Sequence, residues 1–74
     1  MFKKRNNKRF SFNEIKDCTT VISADNICFI RKSEVQIYGK WKLYIATKGG
    51  QAITVQFNTK DELDNVFSEI ESYL

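Results

Sequence analysis

Hydrophobic and polar residues alternate through the middle of the chain, which is the pattern of half-buried β-strands. Five strands are predicted, at residues 19–23, 26–32, 34–38, 41–47 and 51–57. The last two carry an apolar face made of Trp41, Leu43, Ile45, Ile53, Val55 and Phe57. The glycine-containing stretches 48–50 and 38–40 predict turns, because glycine adopts positive φ without a steric penalty.

The first two strands are predicted to form a hairpin through a two-residue loop, Ala24-Asp25. In that register the side chains of Cys18 and Cys28 point to opposite faces of the ribbon. A disulfide needs converging Cβ atoms, so both cysteines are predicted to be free thiols. Free thiols indicate a reducing compartment, and we expect a cytoplasmic protein.

Residues 10–15 have two competing interpretations. Ser11 and Glu14 have capping-box spacing, and Phe10 and Ile15 have hydrophobic-staple spacing, so a short helical turn over about 11–17 is the favoured prediction. The alternative is a strand, since Phe10 and Phe12 alternate with polar positions.

The end of the chain predicts an amphipathic helix. Thr59 and Glu62 have the spacing of an N-terminal capping box, and acidic residues follow where the helix dipole favours them. One apolar stripe has helical spacing: Leu63, Val66, Phe67, Ile70 and Leu74. The predicted fold is therefore α+β, a small antiparallel sheet of four to five strands with one C-terminal amphipathic helix packed on one face. Residues 10–74 would form this single domain, after a flexible basic arm at 1–9.

Composition fits a small folded domain. The chain has 74 residues, and 42% of them are hydrophobic. A domain this short buries only about 60% of its unfolded surface, so a homodimer is a reasonable expectation. No apolar run reaches the length of a membrane span or forms the core of a signal peptide. The abundance of Lys, Asn and Ile is typical of AT-rich genomes, which suggests a bacterial or phage accessory protein.

The sequence argues against catalysis. It has no histidine, and the carboxylates at 61, 62 and 64 are explained by helix capping. Gly49-Gly50 lacks the pattern of a phosphate-binding loop. We therefore expect a protein that is not an enzyme and that has no cofactor and no metal site.

Charge is distributed unevenly. Residues 1–10 carry five basic residues and no acid, whereas residues 58–74 carry one basic and five acidic residues. The basic residues are candidate anion-binding groups: Lys3, Lys4, Arg5, Lys8 and Arg9. A solvated N-terminus is the simpler explanation of the same residues.

The polar face of the predicted sheet is the second candidate site. Tyr38, Lys42 and Tyr44 would project from it, with Lys40 at its edge. Aromatic residues interleaved with lysines suit single-stranded nucleic acid, and tyrosine also suits a protein interface. An ordinary exposed face with tyrosines chosen for their β propensity would look the same.

From Trp41 onward the chain resembles the end of a pleckstrin-homology-like domain. The resemblance is carried by the strand 41–45, a glycine turn, the strand 53–57 and the capped helix that begins at 59–63. The full family fold has more strands than this chain can hold, so the chain would be a truncated relative or an unrelated α+β domain. The resemblance implies binding of proteins, peptides or anionic headgroups, without catalysis, and it carries over no ligand residues.

Two functional hypotheses follow. The leading one is a small binding module that acts through a protein partner, which includes a second copy of itself. The alternative is nucleic-acid binding by the basic arm and the tyrosine/lysine face. Deletion of residues 1–9 separates them, because it would weaken binding to a polyanion and leave a protein interface nearly intact.

Overall fold

The computed structural model describes residues 8–13 and 17–74. The strands and helix of these residues are β1 (Arg9–Phe12), β2 (Thr20–Ser23), β3 (Ile27–Lys32), β4 (Trp41–Thr47), β5 (Ala52–Phe57) and α1 (Lys60–Glu71). β1 and β2 form one antiparallel sheet, and a second antiparallel sheet has the order β3-β4-β5. The α+β class is confirmed. The single sheet of four to five strands is not, because the strands are divided between two sheets.

The predicted hairpin between residues 19–23 and 26–32 is wrong, because β2 pairs with β1 and β3 pairs with β4. Ala24–Asn26 forms a turn of 3-10 helix in place of a tight loop. A two-residue hairpin loop needs positive φ, and neither Ala24 nor Asp25 adopts it. The turn is fixed from outside instead, where the Ala24 N–H donates to the Lys8 carbonyl at 2.8 Å.

The favoured helical turn at 11–17 is also wrong where it can be compared, since Ser11 and Phe12 belong to β1. The strand alternative is correct because only an extended chain puts Phe10 and Phe12 on the same buried side. Glu14 and Ile15, which would complete the proposed cap and staple, lie outside the described residues. β1 begins at Arg9 and the Lys8 carbonyl accepts the Ala24 N–H, so the fold includes two residues of the predicted flexible arm.

Residues 34–38 do not form the predicted strand. β3 pairs directly with β4, and the connection between them extends past the end of the sheet. It closes on a tight turn in which Ile37 and Lys40 exchange two backbone hydrogen bonds, of 2.8 and 3.1 Å. Tyr38 and Gly39, at the tip, have φ values of 51° and 76°. Positive φ at both central residues is the geometry of a type I′ turn.

The hairpin of β4 and β5 agrees closely with the prediction. Its register pairs Leu43 with Val55 and Ile45 with Ile53, so the predicted apolar residues share one face. The turn between the strands contains Gly50 at a φ of 87°. The Thr47 hydroxyl is buried and lies 3.2 Å from both the N–H and the carbonyl of Gln51, which closes the turn.

The helix forms as its capping signals predict. The Thr59 hydroxyl accepts the Glu62 N–H at 3.2 Å and lies 3.1 Å from the Glu62 carboxylate. Leu63 and Ile70 are fully buried, and Val66 and Phe67 pack beside them at the margin of the core. The prediction that Leu74 belongs to the buried stripe is wrong, because Leu74 follows the end of the helix and is 59% exposed.

One core lies on the helix side of the three-stranded sheet. It unites residues from both sheets and the helix: Phe10, Phe12, Ile22, Ala24, Ile27, Leu43, Ile45, Val55, Leu63 and Ile70. The Phe10 ring meets Tyr73 edge-on at 5.8 Å, which ties β1 to the end of the helix. Cys18 and Cys28 are free and exposed. In the described part of the chain, no helix has the length and apolar character needed to span a membrane.

A pair of leucine substitutions tests this core. Leu63→Ala removes a fully buried side chain and should lower the free energy of unfolding by about 2–5 kcal/mol. Leu74→Ala is the matched control and should change it by less than about 0.5 kcal/mol. Urea unfolding followed by circular dichroism measures both. Equal losses for the two variants would contradict the placement of Leu74 outside the core.

Candidate functional site

The three-stranded sheet has a second face, which points away from the helix. Side chains alternate along each strand, so the register assigns this outer face to the residues between the buried ones. The outer face consists of Phe29, Arg31, Lys42, Tyr44, Ala46, Ala52, Thr54 and Gln56. It combines two aromatic rings with two cations.

A β-bulge gives the outer face its phenylalanine. The register of β3 on β4 shifts between Ile27 and Phe29, so Cys28 is an extra residue. In a regular strand Ile27 and Phe29 would share a face, but here Ile27 is buried and Phe29 is 48% exposed. Sequence reasoning therefore missed Phe29 and Arg31. The one available signal was the apolar run 27–30, which no regular alternation can bury on one side.

The two cations lie close to the aromatic residues. The Arg31 guanidinium lies over the Phe29 ring, 5.6 Å from its centroid, which is cation–π geometry. Arg31 is also the cross-strand partner of Tyr44, which in turn pairs with Thr54. Lys42 lies one row further along, opposite Gln56. Because Ala46 and Ala52 are small, they add little height beside Phe29.

The residues predicted for this face are only partly brought together. Lys42 and Tyr44 are half-buried neighbours on the outer face, as expected. Tyr38 does not project from the sheet as predicted, because it lies in the turn beyond the sheet, where it is 97% exposed. Lys40 is half-buried, and its ammonium donates to the Asn58 side chain at the end of β5.

The predicted basic arm falls only partly within the described residues. Lys3, Lys4 and Arg5 lie outside the described residues. Lys8 is held on the helix side, with its ammonium 3.7 Å from Glu69 and within 5.8 Å of the centroids of the Phe10 and Tyr73 rings. Arg9 is an exposed residue of β1. Lys8 therefore contacts the helix side of the fold, and anion binding by the arm stays a prediction.

Charge is segregated across the sheet. Strands β3, β4 and β5 contain no Asp or Glu, and their charged residues are Arg31, Lys32 and Lys42. Lys32 faces the helix, which leaves Arg31 and Lys42 on the outer face. The helix carries five acids and one lysine, all on the far side of the sheet. The outer face is consequently cationic and the helix side acidic.

Lys32 is neutralised locally. Its ammonium donates to Asp64 at 3.0 Å and lies 4.8 Å from the centre of the Phe67 ring. The hydrogen bond from Lys32 lowers the pKa of Asp64, and the same bond raises the pKa of Lys32. Lys60 approaches the other Asp64 oxygen at 3.7 Å. These contacts attach the helix to β3 and remove Lys32 from the cations available to a ligand.

Other sites are weaker candidates. A shallow polar depression is lined by Ser23, Asp25, Asn26 and Lys48, which mixes both charges and contains no aromatic residue. Residues 8–13 and 17–74 contain no group of three His, Cys, Asp or Glu side chains able to hold a metal ion. The outer face, by contrast, combines two aromatic rings with charge of a single sign.

Comparisons with protein-family models, curated proteins and solved structures find no match to this chain. The hairpin and capped helix that resemble the end of a pleckstrin-homology-like domain are present as β4, β5 and α1. Kinship with that family stays a prediction.

The ion pair of Lys32 and Asp64 makes stability depend on pH. Because the folded state lowers the pKa of Asp64, this carboxylate stabilises the fold above its unfolded pKa, and the effect is lost as pH falls through the folded pKa. A double-mutant cycle of Lys32→Met and Asp64→Asn, followed by urea unfolding, should show favourable coupling at pH 7 that vanishes in strong acid. Coupling that persists unchanged in acid would contradict the ion pair.

Tyr38 should be a strained position. A bulky residue at positive φ costs about 1 kcal/mol, and Asn tolerates that conformation better. Tyr38→Asn is therefore expected to raise the free energy of unfolding by up to about 1 kcal/mol. Val35→Asn is the control, since Val35 is exposed in the same connection without positive φ. Destabilisation by Tyr38→Asn would show that the tyrosine ring itself stabilises the turn.

Proposed function

We propose that this protein binds single-stranded nucleic acid on the outer face of its three-stranded sheet. The observation that carries the proposal is the charge segregation: Arg31 and Lys42 share a face with two aromatic rings, while the helix acids lie behind the sheet. This favours the nucleic-acid hypothesis over the protein-partner hypothesis, which is the leading one from the sequence alone.

The charges support a polyanionic ligand. A strand of phosphates meets Arg31 and Lys42 without meeting a carboxylate on β3, β4 or β5. Phosphate neutralisation by basic side chains releases counterions, so the affinity depends steeply on salt. The arginine also offers a planar fork for bidentate contact with phosphate. A protein partner would not require the acids to be excluded from the face.

The aromatic residues favour unpaired bases. Phe29 is about half exposed, and Tyr44 lies on the neighbouring strand, one row of the outer face away from Lys42. Exposed rings on a sheet stack against the faces of bases, and each such contact is worth about 1–3 kcal/mol. Base faces are hidden inside a duplex, so a flat face of this kind selects single strands.

Binding to a labelled oligothymidylate at low salt tests the proposal. Fluorescence anisotropy should show binding that weakens as salt rises, with a log–log slope of about −0.7 for each phosphate contacted. Phe29→Ser and Tyr44→Ser should each weaken binding by roughly 5- to 150-fold, which corresponds to loss of one stacked base. Arg31→Gln should weaken binding and make the salt slope shallower.

Lys60→Gln is the matched control, because Lys60 is an exposed cation on the helix side. It removes the same charge as Arg31→Gln and should leave the affinity nearly unchanged. Equal weakening by both variants would mean attraction by net charge alone and would contradict a site on the outer face. Absence of binding to single strands at low salt would overturn the proposal and favour a protein partner for this face.

A further inference from the structure

Among the described residues, β5 lies at one edge of the three-stranded sheet. Two hydrogen bonds of β4 show which way its backbone groups point. The Thr47 N–H donates to the Gln51 carbonyl at 2.8 Å, on the side of β5. The Lys42 carbonyl accepts the Ser33 N–H at 2.9 Å, on the side of β3. In an antiparallel ladder this direction alternates from one residue to the next. The odd-numbered residues of β4 therefore bond to β5, and the even-numbered ones bond to β3.

The same alternation applies to β5. Its residues 53, 55 and 57 are the partners of odd-numbered residues of β4 and direct their backbone groups inward. Ala52, Thr54 and Gln56 direct their N–H and carbonyl groups away from the sheet. Within residues 8–13 and 17–74, no backbone hydrogen bond reaches these three residues from the outer side.

The two edges of this sheet differ in their protection. The β3 edge has the bulge at Cys28 and two charged residues, Arg31 and Lys32, features with which proteins prevent edge-to-edge pairing. β5 has the sequence Ala-Ile-Thr-Val-Gln-Phe, with no charge, no proline and no bulge. Ile53 and Phe57 are also only partly covered on the helix side.

We propose that β5 is a dimerisation edge, where a second copy of this chain adds its own β5 in antiparallel orientation. The strand is self-complementary: apolar residues meet apolar residues on the helix side, and neutral residues meet neutral residues on the outer face. No like charges are brought together, because β5 has none. The backbone N–H and carbonyl groups that point away from the sheet belong to the even-numbered residues of β5. Two copies can therefore pair only in registers that place even-numbered residues opposite one another.

The symmetry of this pairing has a geometric consequence. A twofold axis perpendicular to the sheet keeps both outer faces on one side and both helices on the other. The result is a six-stranded sheet with the order β3-β4-β5-β5-β4-β3. Pairing of two edge strands buries a small interface, so the dimer dissociates on dilution. The proposal does not depend on nucleic-acid binding.

The mass in solution is the first test. Light scattering across a concentration series should show a transition from 8.7 kDa to twice that mass. Thr54→Pro removes an outward N–H that makes no bond to β4, so the fold is expected to persist while the dimer is lost. Thr54→Val keeps the N–H and the shape of the side chain, and it should still dimerise.

Thr54→Lys provides a second variant that does not depend on proline. It should weaken the dimer by charge repulsion between the two strands, and added salt should partly restore it. Circular dichroism establishes that each variant is folded. A folded wild-type chain that stays at 8.7 kDa at every concentration, or a Thr54→Pro variant that dimerises like the wild type, would overturn the proposal.

Amide hydrogen exchange tests the edge without any substitution. At low concentration the amides of residues 53, 55 and 57 should be protected while those of Ala52, Thr54 and Gln56 exchange rapidly. At high concentration the second set should become protected as well. If the amides of Ala52, Thr54 and Gln56 are protected equally at all concentrations, another part of the same chain protects them, and the dimer is refuted. No oligonucleotide is present, so failure here is distinct from failure of the proposed function.

Discussion

The structure depends on burial of one side of β4. Leu43 and Ile45 are fully buried there, in one cluster with Leu63 and Ile70 of the helix. β4 is also the central strand, so the same residues that hold the helix align β3 and β5. In a domain this small, few side chains are removed completely from water, and each contributes a large share of the net stability. Because Leu43 and Ile45 must be buried on one side of β4, the alternating residues Lys42 and Tyr44 are held on the other side and form part of the outer face.

The parts of the fold that could be predicted from the sequence are those whose signals are local. β4, β5 and α1 each carry their own alternation or capping residues, and they form close to the predicted bounds. The hairpin at Ala24-Asp25 and the strand at 34–38 failed because strand pairing is decided by the whole sheet. The same applies to the predicted single sheet, since periodicity shows that a strand exists and not which strand it joins.

The candidate site shows the same division. Lys42 and Tyr44 belong to a regular strand, and their face could be assigned by counting from Trp41. Phe29 and Arg31 lie after the bulge, where counting from Ile27 gives the wrong face. Counting lysines also overstates the charge available to a ligand. Lys8, Lys32 and Lys40 each have a partner within the fold, and the sequence alone gives no sign of it.

Within residues 8–13 and 17–74, the segregation of charge across the sheet gives the fold an electric dipole. Arg31 and Lys42 lie on the outer face, and the five helix acids, which outnumber the lysines beside them, lie on the other side, at about the 10 Å thickness of a packed layer. An extended surface of negative charge would orient such a dipole before contact. The outer face of the sheet would then lie against the surface, and the helix would point away from it. In that orientation the edge strands of the sheet lie parallel to the surface. Neighbouring molecules would then meet edge to edge within a plane and not in free solution.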